Sequence, residues 1–386
     1  MTEPLLHRAG EPPEHLPQSH PYRRQTVDGV PGSGSAFASL ADLGWDDGYA
    51  SALVALAAAK PEHSGETVGG RVLRRDKTAC QVALGGSEAH CPILPALLGD
   101  PLTAPTTGDF VGVRGGEIVA VLERRTSVMR GAFRNLTAQV LAANVEYVMV
   151  AVPLSSKFRP RRLERLLVVA WQTGAVPLVV ITKLDCSGDA AEAYSRAKAL
   201  SPGATVHMVS AFTGEGVEEL AAELSPRTTS VIIGPSGAGK STLANALGDS
   251  ATELATAEIR GDGKGRHTTV ARELVRLANG AMMIDTPGLR AIGLWDAEEA
   301  LSEAFGDVEA LAVHCRFNDC AHASEPDCAV SAAVDSGELD ADRLSSYQKL
   351  QREQRRLAAR TDAKLRAERT AESKAFNKQN RRMPHH

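Results

Sequence analysis

Residues Gly234, Pro235, Ser236, Gly237, Ala238, Gly239, Lys240, Ser241 and Thr242 follow one another in the chain. They fit the phosphate-loop pattern G-x-x-x-x-G-K-[ST]. The glycines let the backbone turn tightly and bring N–H groups up to phosphate oxygens. Lys240 supplies a cation for the β- and γ-phosphates, and the Ser241 hydroxyl a ligand for Mg²⁺. The apolar run Val231–Ile233 before the loop reads as a strand, and Thr242–Leu247 after it as the start of a helix.

Further segments suit the rest of a nucleotide. Asp285 ends the apolar run Ala281–Ile284 and opens Asp-Thr-Pro-Gly, so its carboxylate is placed to hold Mg²⁺ through water. The Gly288 N–H can then meet a γ-phosphate. Between loop and Asp285 lies Gly261–Thr269, whose three glycines predict a mobile connection. Thr268 or Thr269 is the candidate second hydroxyl ligand for Mg²⁺. Upstream, Thr182, Lys183, Leu184 and Asp185 end the strand-like run Pro177–Ile181. A carboxylate there accepts the two N–H groups on the Watson–Crick edge of guanine, a donor pair that adenine lacks. The Lys183 stem can cover the ring. Ser210 and Ala211 follow one αβ unit later, with the Ala211 N–H available to guanine O6. The expected ligands are GTP and GDP with Mg²⁺.

Cysteine spacing gives a second site. Cys315, Cys320, His322 and Cys328 offer three thiolates and an imidazole, a tetrahedral Zn²⁺ set with no open position. One structural Zn²⁺ is expected. His314 is an extra candidate whose spacing is less favourable. Cys80, Cys91 and Cys186 read as small apolar residues. A disulfide is disfavoured, since no signal peptide or long apolar span is visible and a reducing cytoplasm is expected. No membrane association is expected.

Elements must place these groups. The chain has 386 residues and 43% apolar content, enough for two or three domains. Residues 1–60 read as an extension, partly disordered, with possible helical turns around Trp45 and Tyr49. Residues 65–124 read as short strands separated by turns such as Gly85-Gly86 and Gly115-Gly116, which suits a small barrel. Glu123–Ser127 and Arg130–Arg134 form a basic connection, or simply a solvated linker. From 137 to 295 strands alternate with helices, the pattern of a doubly wound α/β domain. Residues 296–345 surround the cysteine cluster, and 346–386 read as a basic helix and tail. Formal net charge is −4, but 13 Lys/Arg and 4 Asp/Glu lie from Arg343 onward. That asymmetry points to a basic arm for RNA phosphates, against the plainer reading of a solvated helix face.

The order Thr182–Asp185, Ser210–Ala211, phosphate loop, Gly-Arg-His-Thr-Thr, Asp-Thr-Pro-Gly resembles the circularly permuted GTPases of the ribosome small-subunit-dependent GTPase A family. The likeness covers about residues 65–345 and includes the cysteine cluster. It implies an α/β fold: a circularly permuted P-loop GTPase domain, an OB-type β-barrel before it and a small helical zinc-binding domain after it. It implies GTP hydrolysis stimulated by the small (30S) subunit, contact with 16S rRNA, a role in late subunit maturation, and a monomer. Leu289 stands where many GTPases place a glutamine that orients water. The resemblance gives that role to His267. Thr182 replaces the usual asparagine of the guanine segment. Two other readings stay open: a different P-loop ATPase or kinase, and a zinc-stabilised rRNA-binding protein with little catalysis.

Overall fold

Alternate residues of the central strands enter different cores, as period-two geometry requires. In β8 (Tyr147–Pro153), Val148 and Val150 join one apolar cluster, and Met149 and Ala151 another. The same split holds for Leu178, Val179, Val180 and Ile181 of β9 (Val176–Thr182). Strands buried on both faces belong in a parallel sheet covered by helices. The computed structural model has that arrangement. It describes residues 39–59, 67–130, 138–154, 158–186, 189–248, 272–285 and 298–357.

The sheet runs β10 (Thr205–Val209), β9, β8, β11 (Thr229–Ile233), β13 (Met282–Asp285), β12 (Glu273–Arg276). All neighbours are parallel except β12 with β13. The chain enters at β8, in the middle of the sheet, winds outward to β10, and returns to β11 on the other side of β8. Helices α2 (Pro160–Trp171) and α3 (Ala190–Leu200) cover one face; α4 (Val217–Glu223) and α5 (Lys240–Leu247) cover the other. Pro160 opens α2, where its missing N–H costs nothing. Asp189 caps α3 by accepting from the Glu192 N–H.

Five strands precede this sheet: β1 (Thr67–Arg75), β2 (Ala79–Ala83), β3 (Glu88–Pro92), β4 (Phe110–Arg114) and β5 (Glu117–Val121). They pair in the order β3-β2-β1-β4-β5, and a parallel bridge from Ile93 to Ile118 closes the ring. This is a five-stranded barrel of OB order. Cys80 and Cys91 face each other across β2 and β3 in its apolar interior, packed as small hydrophobes. Strand β3 lies in a polar stretch that periodicity alone did not mark. A hairpin of β6 (Ser127–Arg130) and β7 (Gln139–Ala143) links the barrel to β8.

The first part of the basic connection, Glu123–Ser127, is not a solvated linker, and 131–134 of the second part lie outside the described residues. Arg124 forks onto buried Asp109 with two 2.7 Å bonds. Arg125 forks onto Asp46, also at 2.7 Å, and lies over the Tyr49 ring. Asp46 and Tyr49 belong to the extension. There Trp45, just before α1 (Asp47–Ala59), and Tyr49 within it pack on Phe110 of the barrel. Gly69 is required under Trp45, because a Cβ would sit 2.3 Å from the indole. Residues 1–38 lie outside the described residues.

One side chain joins all three parts. Arg71 of β1 is fully buried. It donates to the carbonyls of Leu43 in the extension, Gly108 in the barrel and Asn144 before β8, and to Thr229 Oγ1 at the start of β11. Burial lowers its pKa, with Glu146 the largest opposing influence.

After the sheet come α6 (Glu298–Ala304), α7 (Gly306–Ala312), the cysteine loop and α8 (Ala329–Ser336), then a helix, α9, described over 341–357. Arg343 is not free for RNA. It is buried, bonds Glu164 of α2 at 3.0 Å and Asp307 at 2.7 Å, and stacks over Phe305. Arg165 and Glu353 add a second tie between α2 and α9. No helix among the described residues is long and apolar enough to cross a membrane.

Candidate nucleotide and metal sites

The carboxyl ends of the parallel strands meet at one edge, where β8 and β11 run side by side but lead opposite ways. Ligands bind at such switch points. The phosphate loop leaves fully buried β11. Gly234 has φ +149°, and a Cβ there would lie 2.6 Å from the Ala151 carbonyl oxygen. Gly239, at φ +79°, turns the chain into α5, whose first residue is Lys240. Lys240 Nζ donates to the Gly234 and Pro235 carbonyls at 3.0 and 2.8 Å. Those bonds hold the ammonium across its own loop. Ser236, Ser241 and Thr242 are exposed at the same end. The N–H groups opening α5 face that opening, an anion-binding arrangement.

Strand β9 delivers the second group. Thr182 is buried, and its hydroxyl donates to the Ala238 carbonyl at 2.6 Å. The base segment and the phosphate loop are therefore tied directly. Lys183 takes φ +63°, a left-handed conformation uncommon outside glycine. That turn lays its stem beside Gly239. The Leu184 N–H donates to the Val209 carbonyl at 3.2 Å. Asp185 is exposed, and its Oδ1 accepts from Ser210 Oγ at 2.6 Å. That bond is the main reason its carboxyl sits below the ordinary range. Ser210 in turn is fixed by Thr213 N–H on its hydroxyl and by Glu215 and Gly214 on its backbone. The turn carrying Ala211 is thus braced. An ionised, oriented carboxylate stands at the edge of the phosphate loop, and Ser210 does more than precede Ala211: it aims Asp185.

Asp285 is described by its backbone, which ends β13 in register with Glu273. His267, Thr268, Thr269 and Gly288 lie outside the described residues.

The cysteine loop folds back so that four ligand atoms lie within 4.8 Å of one another: those of Cys315, Cys320, His322 and Cys328. His322 Nδ1 is 3.6 Å from Cys315 Sγ and 3.5 Å from Cys328 Sγ, and those two sulfurs are 3.9 Å apart. A tetrahedron with Zn–S bonds of about 2.3 Å has edges of about 3.8 Å. A disulfide needs about 2.05 Å. The donor set fits zinc, and His314 is not part of it. His322 adopts φ +55°, which folds the loop tightly. Burial opposes ionisation of Cys328, but bonds from Ser331 and His322 outweigh it and bring the thiol down to about 6.

Residues that spacing did not reveal support the loop. Glu325 accepts from the N–H groups of Ala323, Ser324 and Ala321, which pull its carboxyl down to about 2. Gln348 of α9 donates to the His322 carbonyl at 2.7 Å. Nothing in a helix pattern distinguishes Gln348 from a solvent-facing residue. Its role comes only from docking.

Comparison with known proteins gives the family and the fold. The RsgA GTPase family model matches residues 121–295. A Streptomyces avermitilis protein named small ribosomal subunit biogenesis GTPase RsgA is 44% identical over 354 residues, spanning 89% of this chain and 93% of the relative. A protein of the same name from Opitutus terrae is 41% identical over 364 residues, spanning 89% and 98%. The crystal structure of YjeQ from Thermotoga maritima is 25% identical with TM-score 0.57, covering 74% of this chain and 97% of that one. YloQ, described as a circularly permuted GTPase, shares the fold at 22% identity and TM-score 0.56, covering 75% and 96%. With relatives this similar matched over nearly their whole length, the chain belongs to the RsgA GTPase family.

Proposed function

We propose that this protein hydrolyses GTP to GDP and phosphate and acts in biogenesis of the small ribosomal subunit. The observation that carries the chemistry is the Asp185–Ser210 pair placed beside the phosphate loop, with Thr182 bonded to that loop. The partner is supported by the names of relatives that match nearly end to end.

Asp185 selects guanine and Ala211 N–H meets its O6. The loop and Lys240 bind the phosphates, displacing Lys240 from its own carbonyls. Ser241, Thr268 and Asp285 are the candidate residues for Mg²⁺, which neutralises phosphate charge when bound. Gly288 meets the γ-phosphate, and His267 orients the attacking water. Cys315, Cys320, His322 and Cys328 hold one structural Zn²⁺. The protein acts in the cytoplasm as a monomer that contacts 16S rRNA through the barrel, the cysteine loop and the basic residues after 346.

The deciding measurement is GTP turnover with and without purified 30S subunits, for wild type and His267→Ala. Stimulation of wild type and its loss in the variant are expected. Equal stimulation of both would remove His267 from the mechanism, and no stimulation of either would remove the subunit.

A further inference from the structure

Where the barrel joins the central sheet, Arg272 lies within electrostatic reach of Arg75 and Arg130. Antiparallel β1 and β12 touch with Arg74 opposite Glu273. Arg75 and Arg272 flank that pair on the same side, one on each chain segment. Like charges on neighbouring segments repel. Burial lowers the Arg272 pKa, and the positive charges of Arg130 and Arg75 lower it further. Arg130 ends β6 and, among the described residues, makes one bond, from Nη2 to Gln139 Oε1 at 2.9 Å. The Nε atoms of Arg130 and Arg272 are buried and have no acceptor among the described residues.

Arg74, beside Arg75, also has a buried Nε without an acceptor among the described residues, with Asp76 3.8 Å away, while three further arginines near this junction are answered. Arg71 has carbonyls and Thr229; Arg124 has Asp109; Arg125 has Asp46. Arg272 is a half-buried cation with an idle donor and with Arg130 and Arg75 as charged neighbours, an arrangement that costs stability unless an anion joins it. Guanidinium forks match the oxygens of a phosphate group better than any other common anion except a carboxylate. A tetrahedral phosphate, unlike a planar carboxylate, offers oxygens to three separate forks at once.

We propose that Arg75, Arg130 and Arg272 form a binding site for a phosphate oxyanion at the seam between barrel and sheet. The phosphate comes from an RNA backbone or is free in solution. Only the RNA source rests on the small-subunit reading above.

The test uses the full chain and the variants Arg272→Gln and Arg130→Gln. Thermal melting is compared in chloride and in inorganic phosphate at equal ionic strength. With GDP saturating the phosphate loop in every sample, phosphate should raise the wild-type melting temperature clearly more than that of either variant. In chloride, Arg272→Gln should melt at or above wild type, because repulsion is relieved. A variant that melts lower in chloride yet responds to phosphate as wild type does would make the arginines structural and overturn the proposal. Salt titration of 30S binding then separates the sources. A log–log slope smaller by about 1 in Arg272→Gln assigns the site to RNA backbone. An unchanged slope with the phosphate response intact in wild type assigns it to free phosphate. If wild type binds no 30S at all, the small-subunit reading fails while the melting result still decides the anion site.

Discussion

The Thr182 hydroxyl donates to the Ala238 carbonyl across 2.6 Å, so the end of β9 and the phosphate loop are one hydrogen-bonded unit. In this chain threonine stands where the guanine segment usually carries asparagine, and its hydroxyl does the bracing. Thr182→Val keeps the shape and leaves a buried acceptor unanswered. GDP affinity should fall roughly tenfold, the equivalent of about 1.4 kcal/mol within the usual cost of such a loss. Thr182→Ser should stay within about twofold on the same grounds. Calorimetric titration with GDP checks both.

Asp185 is held ionised and aimed by Ser210. Asp185→Asn replaces two acceptors with one acceptor and one donor. Guanine nucleotide affinity should drop by about two orders of magnitude, since bonds to a charged group contribute roughly 1.5–3 kcal/mol each. Xanthine carries an oxygen in place of the amino group, so the variant should now prefer XDP. Competition between GDP, XDP and ADP reads this directly. Retained preference for GDP would show that Asp185 does not read the base.

Arg71 is surrounded by acceptors from the extension, the barrel and the sheet. Arg71→Met removes the donors and strands those acceptors in the interior. Unfolding free energy should fall by about 3–5 kcal/mol, the range for breaking a buried charged network. Arg71→Lys should recover little, because one ammonium cannot reach carbonyls on opposite sides as a planar fork does. Urea denaturation followed by circular dichroism measures both variants.

The cysteine loop and α9 meet at Gln348 and the His322 carbonyl. Purified protein should carry about one equivalent of zinc. Chelation, or Cys320→Ser, should release the loop and with it the docking of α9 on α2. Limited proteolysis between 313 and 357 should then accelerate, while GDP affinity stays within about twofold because the nucleotide edge lies on other elements. Metal content below half an equivalent with reduced cysteines would count against the site.

Much of the nucleotide edge could be read from the chain because its chemistry is local. A phosphate loop needs its glycines and lysine at fixed intervals, and four zinc ligands need a short loop. Strand β3 was hidden by its polar sequence, Glu88–Pro92, in which only Cys91 is buried. Periodicity fails where a strand is mostly exposed on an edge. Arg124 and Arg125 read as part of a basic linker because sequence gives charge but not partners. Asp109 and Asp46, which answer them, lie 15 and 79 residues away.

The sequence by itself determined the types and spacing of the groups offered to a ligand, the permuted order of the motifs and the alternation of strands and helices. Each of these depends on neighbours within a few residues. Only the tertiary structure decided that Thr182 braces the phosphate loop, that Arg71 joins three parts of the chain, that Arg343 is buried between α2 and α7, and that Arg74 pairs with Glu273 and so brings Arg75 near Arg272. These relationships join residues far apart in the chain. Burial and register bring them together, and neither is encoded in any short stretch of residues.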